Sequence, residues 1–388
     1  MYVFDNPRTL IGEEYPDRLK TYLSLEKGRA AIRAIQSWPG YAPTPLVDLP
    51  HLAARAGVER LAYKNEGERF GLGSFKALGG AYALARLAEA RERPQDLVVC
   101  CATDGNHGRS VAWKASGIGC RCLVYLHREV STERERAIAA FGAEIRRVNG
   151  NYDDAVRAAA ADAAQSGWIV VSDTSYPGYS DIPCEVMQGY SVMIHEVRHA
   201  QYRPSHVFVQ GGVGGLAAAV CADLWESFGT SRPRLIVVEP EGAACLFASA
   251  RAGRPVRIER QPQTVMAGLA CGEVSLVAWD ILSLGAAHFS TIHDESAISM
   301  MRELASGDGG ALPIVAGESA TAGLAAFLKC ASDPVLRRQV GIDCTSHILC
   351  FGTEADTDPD LYTQLVGRSG AEVRAGRRLG HVVVANEP

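Results

Sequence analysis

The sequence predicts an α/β protein built as two doubly wound lobes with mostly parallel sheets. Short β-branched, apolar runs alternate with longer alanine-rich amphipathic segments, the pattern of strands covered on both faces by helices. At 388 residues the chain exceeds what a single hydrophobic core usually serves, so two lobes are expected. The strand-helix units also fall into separate groups along the chain.

In chain order, the first group has strands at Leu97 to Cys101, Cys122 to Leu126 and Ile169 to Ser172. Helical stretches at Thr132 to Phe141 and Asp153 to Gln165 lie between them. Residues 85–185 are therefore expected to form a small inserted α/β lobe. The second group has strands at His206 to Gln210, Leu235 to Glu239 and His347 to Phe351, with a helix at Gly215 to Ser227. Residues 186–388 are expected to join residues 1–84 in a larger, cofactor-binding lobe. No repeat or low-complexity linker marks the joint. The tail beyond Gly370, with Arg374, Arg377 and Arg378, reads as an edge strand or an unstructured end.

Composition narrows the function classes. Hydrophobic residues make up 47% and charged residues 21%, with a net charge of -5, so nothing forms a basic footprint for nucleic acid. The eleven cysteines lie mostly in apolar runs without paired zinc spacing, which predicts buried thiols in a reducing compartment and no metal. The start, Met1 to Pro7, carries no secretion signal. No run reaches the roughly 18 apolar residues needed to span a membrane. A cytoplasmic protein is expected.

Lys76 is the first chemical signal. It stands in Gly71-Leu72-Gly73-Ser74-Phe75-Lys76-Ala77-Leu78-Gly79-Gly80, with no acid in the segment. Burial there predicts a lowered pKa and a nucleophilic amine suited to a Schiff base; a surface lysine is the competing reading. The second signal is Gln210-Gly211-Gly212-Val213-Gly214-Gly215, a buried strand running through glycines into a helix. Such a turn offers backbone N–H groups to a phosphate; a ligand-free strand-helix turn is the alternative. Gly212-x-Gly214 followed by Glu239 also admits a nicotinamide-binding fold, although Ala217 stands where the strict fingerprint has glycine. That fold gives Lys76 no role. The third signal is Thr103-Asp104-Gly105-Asn106-His107-Gly108 after a strand, where Asp104 offers a general base and Asn106 a hydrogen-bond donor, beyond simple turn chemistry.

Together with Gly352-Thr353-Glu354-Ala355-Asp356-Thr357-Asp358-Pro359 and the stretch from Ser172-Asp173-Thr174 to Met187-Gln188-Gly189-Tyr190, these segments resemble the fold-type II pyridoxal phosphate enzymes. This is the tryptophan synthase β-subunit superfamily. Within it the chain is similar to the diaminopropionate ammonia-lyase family, from about Tyr41 to Tyr362. Serine and threonine dehydratases usually carry a small residue where this chain has Asp104, and an Arg-Gly pair where it has Leu78-Gly79. An extra acid suits a substrate with a second amino group.

The resemblance implies that Lys76 binds pyridoxal 5'-phosphate as a Schiff base and that Gly211, Gly212, Val213, Gly214 and Gly215 hold its phosphate. It implies that Asn106 bonds the ring hydroxyl oxygen and that Thr353 faces the pyridine nitrogen. Lys76 would take the α-proton of an L-substrate and Asp104 that of the D-isomer, with Asp173 beside the second ammonium; a plain strand-ending acid weighs equally for Asp173. Ser74, Gly268 and Glu318 are further pocket candidates. The implied activity is α,β-elimination of 2,3-diaminopropionate to pyruvate and ammonia by a homodimer. The alternatives are another eliminase or β-replacement enzyme of the same fold (serine/threonine dehydratase-like), a nicotinamide-dependent oxidoreductase, or a non-catalytic metabolite-binding protein.

Overall fold

The structure, a computed structural model, describes residues 1–258, 263–307 and 312–376. Among these residues the strands are β1 (Tyr2–Asp5), β2 (Leu46–Asp48), β3 (Arg60–Asn65), β4 (Val98–Ala102), β5 (Arg121–His127), β6 (Glu144–Val148), β7 (Ile169–Val170), β8 (His206–Gln210), β9 (Arg234–Pro240), β10 (His288–Ile292) and β11 (His347–Gly352). They form two sheets. The larger has the order β1-β10-β9-β8-β11-β3-β2 and the smaller β6-β5-β4-β7. The smaller sheet is parallel throughout. In the larger, β10, β9, β8, β11 and β3 run parallel, and only the edge strands β1 and β2 are antiparallel. The chain is an α/β protein with mostly parallel sheets.

The parallel strands are apolar because both faces are covered. β8 is buried at every residue and β9 at all but its first. The helix Gly215–Phe228 is buried from Gly215 to Trp225, as expected of a helix apolar on every side. Helix Lys76–Glu89 leaves the larger sheet's side of the chain and packs on helices Asn106–Ile118 and Asp181–Gly189. Small residues permit this close approach. A Cβ on Gly80 would lie 2.3 Å from Ser110 Oγ, and one on Gly189 would lie 2.0 Å from the Leu78 carbonyl oxygen.

One sequence expectation changes. Residues 371–376 are helical rather than an edge strand or an unstructured end, and Arg374 there reaches Asp356 Oδ2 at 3.1 Å. Arg377 and Arg378 lie outside the described residues. No helix among the described residues is long and apolar enough to cross a membrane.

Because the central strands are parallel, their carboxyl ends gather loops from both sheets at one place. Segments after β3, β8 and β11 meet those after β4 and β7 around a shared cavity.

Candidate active site

Lys76 opens its helix from a backbone that is pinned. Phe75 N–H donates to the Thr353 carbonyl (3.0 Å) and Ala355 N–H to the Gly73 carbonyl (2.9 Å), while Ser74 bridges to Glu354. The lysine is thereby held beside the end of β11. Its amine is not free: Nζ donates to Asp173 Oδ2. The expected fall in pKa is therefore corrected. Burial pushes the amine down, but Asp173, with Tyr190 and Cys271, more than offsets it, and the net shift is upward. Asp173 is likewise raised by burial and lowered more by Lys76 and His107, so its carboxylate stays ionised. The resting pair is an ammonium facing a carboxylate.

The glycine turn supplies the opposite wall. Gly212 and Gly214 have φ values of 66° and 99°, a region that side chains other than glycine rarely occupy. Gly211 N–H is used by the Val238 carbonyl and Gly214 N–H by the Gly211 carbonyl. Gly215 and Leu216 form the first turn of their helix, where N–H groups have no carbonyl four residues back. Gly211, Gly212, Val213, Gly215 and Leu216 all line the cavity, and among the described residues no cation does so beside them on this turn. Such a turn offers backbone dipoles to an anion.

Glu239 does not serve a ribose. It is buried, accepts from Leu246 N–H (2.9 Å) and Phe247 N–H (2.7 Å), and caps helix Cys245–Ala252. Its carbon chain lies behind Gly211, where a Cβ would come within 2.6 Å of it. Burial pushes its pKa up to about 8. The acid on which the nicotinamide alternative depends is spent inside the protein.

The loop after β4 contributes three groups. Asp104 accepts from His127 Nε2 at 2.7 Å, Asn106 donates from Nδ2 to Glu354 Oε2 at 2.6 Å, and His107 donates from Nε2 to the Val171 carbonyl at 2.8 Å. Asp104, Asn106, His107, Asp173, Thr353 and Gly268 share the cavity wall with Lys76. Ser74, Gly214 and Glu318 do not line it. Ser74 is buried in the bridge to Glu354, and Gly214 faces Ala278, Leu246 and Leu282. Glu318 lies behind the wall, bound to Arg134 at 2.8 Å.

Sequence reasoning missed several wall residues. Tyr152, Tyr190, Gln210 and Arg134 line the cavity. Arg134 sits in Thr-Glu-Arg-Glu-Arg, which reads as a solvated helix face, so nothing local marks it. Glu354 also lines the cavity, next to Thr353, and accepts from Asn106 and from Ser319 N–H at 3.2 Å. The wall near Thr353 thus carries a carboxylate as well as a hydroxyl. A different motif proves empty of chemistry. His195-Glu196-Val197-Arg198-His199 spells a helical two-histidine zinc pattern, but Glu196 turns inward onto Arg69 at 2.8 Å. Among the described residues no three His, Cys, Asp or Glu side chains are placed to hold a metal.

These residues fit a phosphate-bearing aldehyde. A primary amine, a neutral anion cradle and an amide donor converge on one cavity, and Gln210 Oε1 on its wall is buried without a hydrogen-bond partner. Comparison with known proteins agrees. Residues 37–341 match the family described as pyridoxal-phosphate dependent enzyme. The diaminopropionate ammonia-lyase of Salmonella typhimurium is 35% identical, covering 93% of this chain and 99% of its own. The structure of Escherichia coli diaminopropionate ammonia lyase in complex with an aminoacrylate-PLP azomethine reaction intermediate superposes with a TM-score of 0.86 at 36% identity, over 94% of this chain and 96% of that one. The same enzyme in complex with D-serine also superposes at 0.86, with 34% identity over the same shares. Cavity, turn and lysine converge with these likenesses: the chain belongs to the pyridoxal-phosphate dependent enzymes and, within them, to the diaminopropionate ammonia-lyase family.

Proposed function

We propose that this chain is a carbon-nitrogen lyase that uses pyridoxal 5'-phosphate to convert 2,3-diaminopropionate into pyruvate and ammonia by α,β-elimination. The observation that carries the substrate is the pair of carboxylates, Asp104 and Asp173, on the wall that also holds Lys76 and the glycine turn. The present partner of Asp173 is the Lys76 ammonium, which stands in for a substrate ammonium. With Lys76 no longer serving as its counter-ion, Asp173 would pair with the substrate's side-chain nitrogen. With one water the reaction balances: the singly positive substrate gives pyruvate and two ammonium ions.

When bound, pyridoxal phosphate supplies the electron sink that acidifies the Cα–H bond. Lys76 would carry the cofactor, and of the turn Gly211 to Gly215 the N–H groups of Gly212, Val213 and Gly215 would hold its phosphate, because those of Gly211 and Gly214 are spent on backbone carbonyls. Asn106, now bonded to Glu354, would donate to the cofactor's ring oxygen, and Thr353 would face its ring nitrogen. Lys76 takes the α-proton of the L-isomer and Asp104 that of the D-isomer. Loss of an amine requires it to leave protonated, and Asp173 keeps that nitrogen in its ammonium form. Gly268, whose N–H binds Ser319 Oγ at 3.1 Å, shapes the pocket. Ser74 and Glu318 act from behind it.

We further propose that residues 1–84 and 186–388 form the large lobe and 85–185 the small inserted one. In support, β4 to β7 make the smaller sheet and the other strands the larger. Both crossings fall inside the packed helices Lys76–Glu89 and Asp181–Gly189. A cytoplasmic homodimer completes the proposal. The free thiols of all eleven cysteines support a reducing compartment, and likeness to the superfamily supports the dimer; light scattering at the mass of a single chain would remove the latter.

The deciding experiment measures pyruvate release from D- and L-diaminopropionate beside D- and L-serine and threonine. Diaminopropionate is expected to be fastest. If a hydroxy amino acid exceeds it, the chain is a dehydratase of the same fold. Asp104→Asn is expected to lower turnover of the D-isomer by about a hundredfold or more, with a much smaller effect on the L-isomer. Equal losses on both isomers would refute the base assignment.

A further inference from the structure

Asp104 occupies the partition between two cavities. It lines the central one with Lys76, and also an outer one shared with His127, Asn151 and Arg257. Within this partition its carboxylate is anchored at one oxygen only. Oδ1 meets His127 Nε2 at 2.7 Å, whereas Oδ2 accepts no hydrogen bond from the described residues.

The other end of the His127 ring fixes the direction of that bond. Glu129 N–H donates to His127 Nδ1 at 3.3 Å, so Nδ1 presents its lone pair and the ring proton resides on Nε2. Nε2–H therefore donates to Asp104. His127 ends β5, where it pairs with Val148 of β6, while Asp104 follows the end of β4. The ring is thus carried on sheet rather than on loop, and Tyr152 packs edge-on against it at 6.5 Å between centroids.

We infer that His127 is a positioning residue for the reaction of the D-isomer: its Nε2–H fixes Asp104 Oδ1, leaving Oδ2 directed to the substrate's Cα–H. This rests on the reading of Asp104 as the base for that isomer. The donor contributes in two ways. It stabilises the ionised carboxylate that abstraction requires, and it restricts the carboxylate to one rotamer, since a small misplacement of a reacting group is costly. The L-isomer, deprotonated by Lys76, needs neither.

The test compares His127→Leu and His127→Gln with the parent holoenzyme and with Asp104→Asn, reading kcat and KM for D- and L-diaminopropionate. His127→Leu is expected to lower kcat for the D-isomer by about ten- to a hundredfold, with little change in its KM and less than about a threefold effect on the L-isomer. Glutamine, whose amide donates from a similar distance, is expected to recover most of the loss. Equal losses on both isomers, or a loss in KM alone, would make His127 a structural residue and overturn the inference. Full D-isomer activity in His127→Leu would overturn it as well. Asp104→Asn separates the two levels: if it is isomer-selective while His127→Leu is not, only the role of His127 fails. If Asp104→Asn is itself unselective, the base assignment falls first. Should the leucine variant fold poorly, the isomer ratio of the glutamine variant still decides, because a positional donor preserves that ratio and its loss in a stable variant refutes the role.

Discussion

At the residue scale, the site stores its charge in an ion pair that the reaction must rearrange. Lys76 and Asp173 each resist their burial because the other is present, so each fixes the protonation of its partner. Replacing Asp173 with Asn removes the counter-ion and leaves burial to dominate, which lowers the Lys76 pKa. Cofactor attachment, followed by its yellow absorbance, is then expected to persist. Turnover of diaminopropionate should fall by about a hundredfold or more, because no carboxylate pairs with the departing nitrogen. The D-to-L ratio should stay near that of the parent, in contrast to Asp104→Asn. A protein that loses the yellow absorbance would show instead that Asp173 is needed to load the cofactor.

At the element scale, the turn between β8 and helix Gly215–Phe228 is the part most fully written in the sequence. Glycines at 212 and 214 take conformations that other residues rarely adopt. Gly212→Ala is expected to cost about 1–2 kcal/mol from backbone strain and to weaken pyridoxal phosphate binding, measured by titrating cofactor into the apoprotein. Unchanged affinity would place the phosphate elsewhere. The strands that flank this turn were equally legible, because β4, β5, β8, β9 and β11 are apolar runs of parallel sheet. Those not read from sequence carry charge or polarity. β6 is Glu-Ile-Arg-Arg-Val at an edge, and β10 is His-Phe-Ser-Thr-Ile. The most instructive is β3, which holds Lys64 in its buried run. That lysine is tolerated because Glu196, Thr44 and Glu66 surround it, with Arg69 completing the set. These partners lie up to 132 positions away, beyond any local pattern. The same holds for the site: Lys76, Asn106 and the glycines announce themselves by composition, whereas Arg134, Tyr152 and His127 join it only through tertiary packing.

At the scale of the whole molecule, Arg134 ties the two sheets across the cavity. Its helix Thr132–Ala139 belongs to the segment of the smaller sheet. The guanidinium reaches Glu318 at 2.8 Å and Asp358 at 3.5 Å from the larger one, and the Asp104 carbonyl at 3.3 Å. Arg134 and Glu318 are 12% and 4% exposed, so solvent does little to screen the pair. Burial, with Glu354 nearby, pushes Glu318 up to about 7 despite the pull of Arg134. An acid that holds its proton longer when folded than when unfolded contributes stability at low pH, which is lost as pH rises through the folded value. For Glu318 that window runs from 4.5 to about 7. Arg134→Met removes the largest attraction that offsets burial, extending the window upward. The destabilisation should therefore be small near pH 6, where Glu318 takes a proton, and grow above pH 7 toward about 3 kcal/mol, the scale for a buried charge stripped of its partner. Denaturant melts at pH 6 and pH 8.5 measure the difference. A loss independent of pH would show that Arg134 acts by packing alone. Because the tie to Glu318 and Asp358 orders the cavity wall as a whole and reaches only the backbone of Asp104, kcat/KM for D- and L-diaminopropionate should fall together, the reverse of the pattern expected at His127.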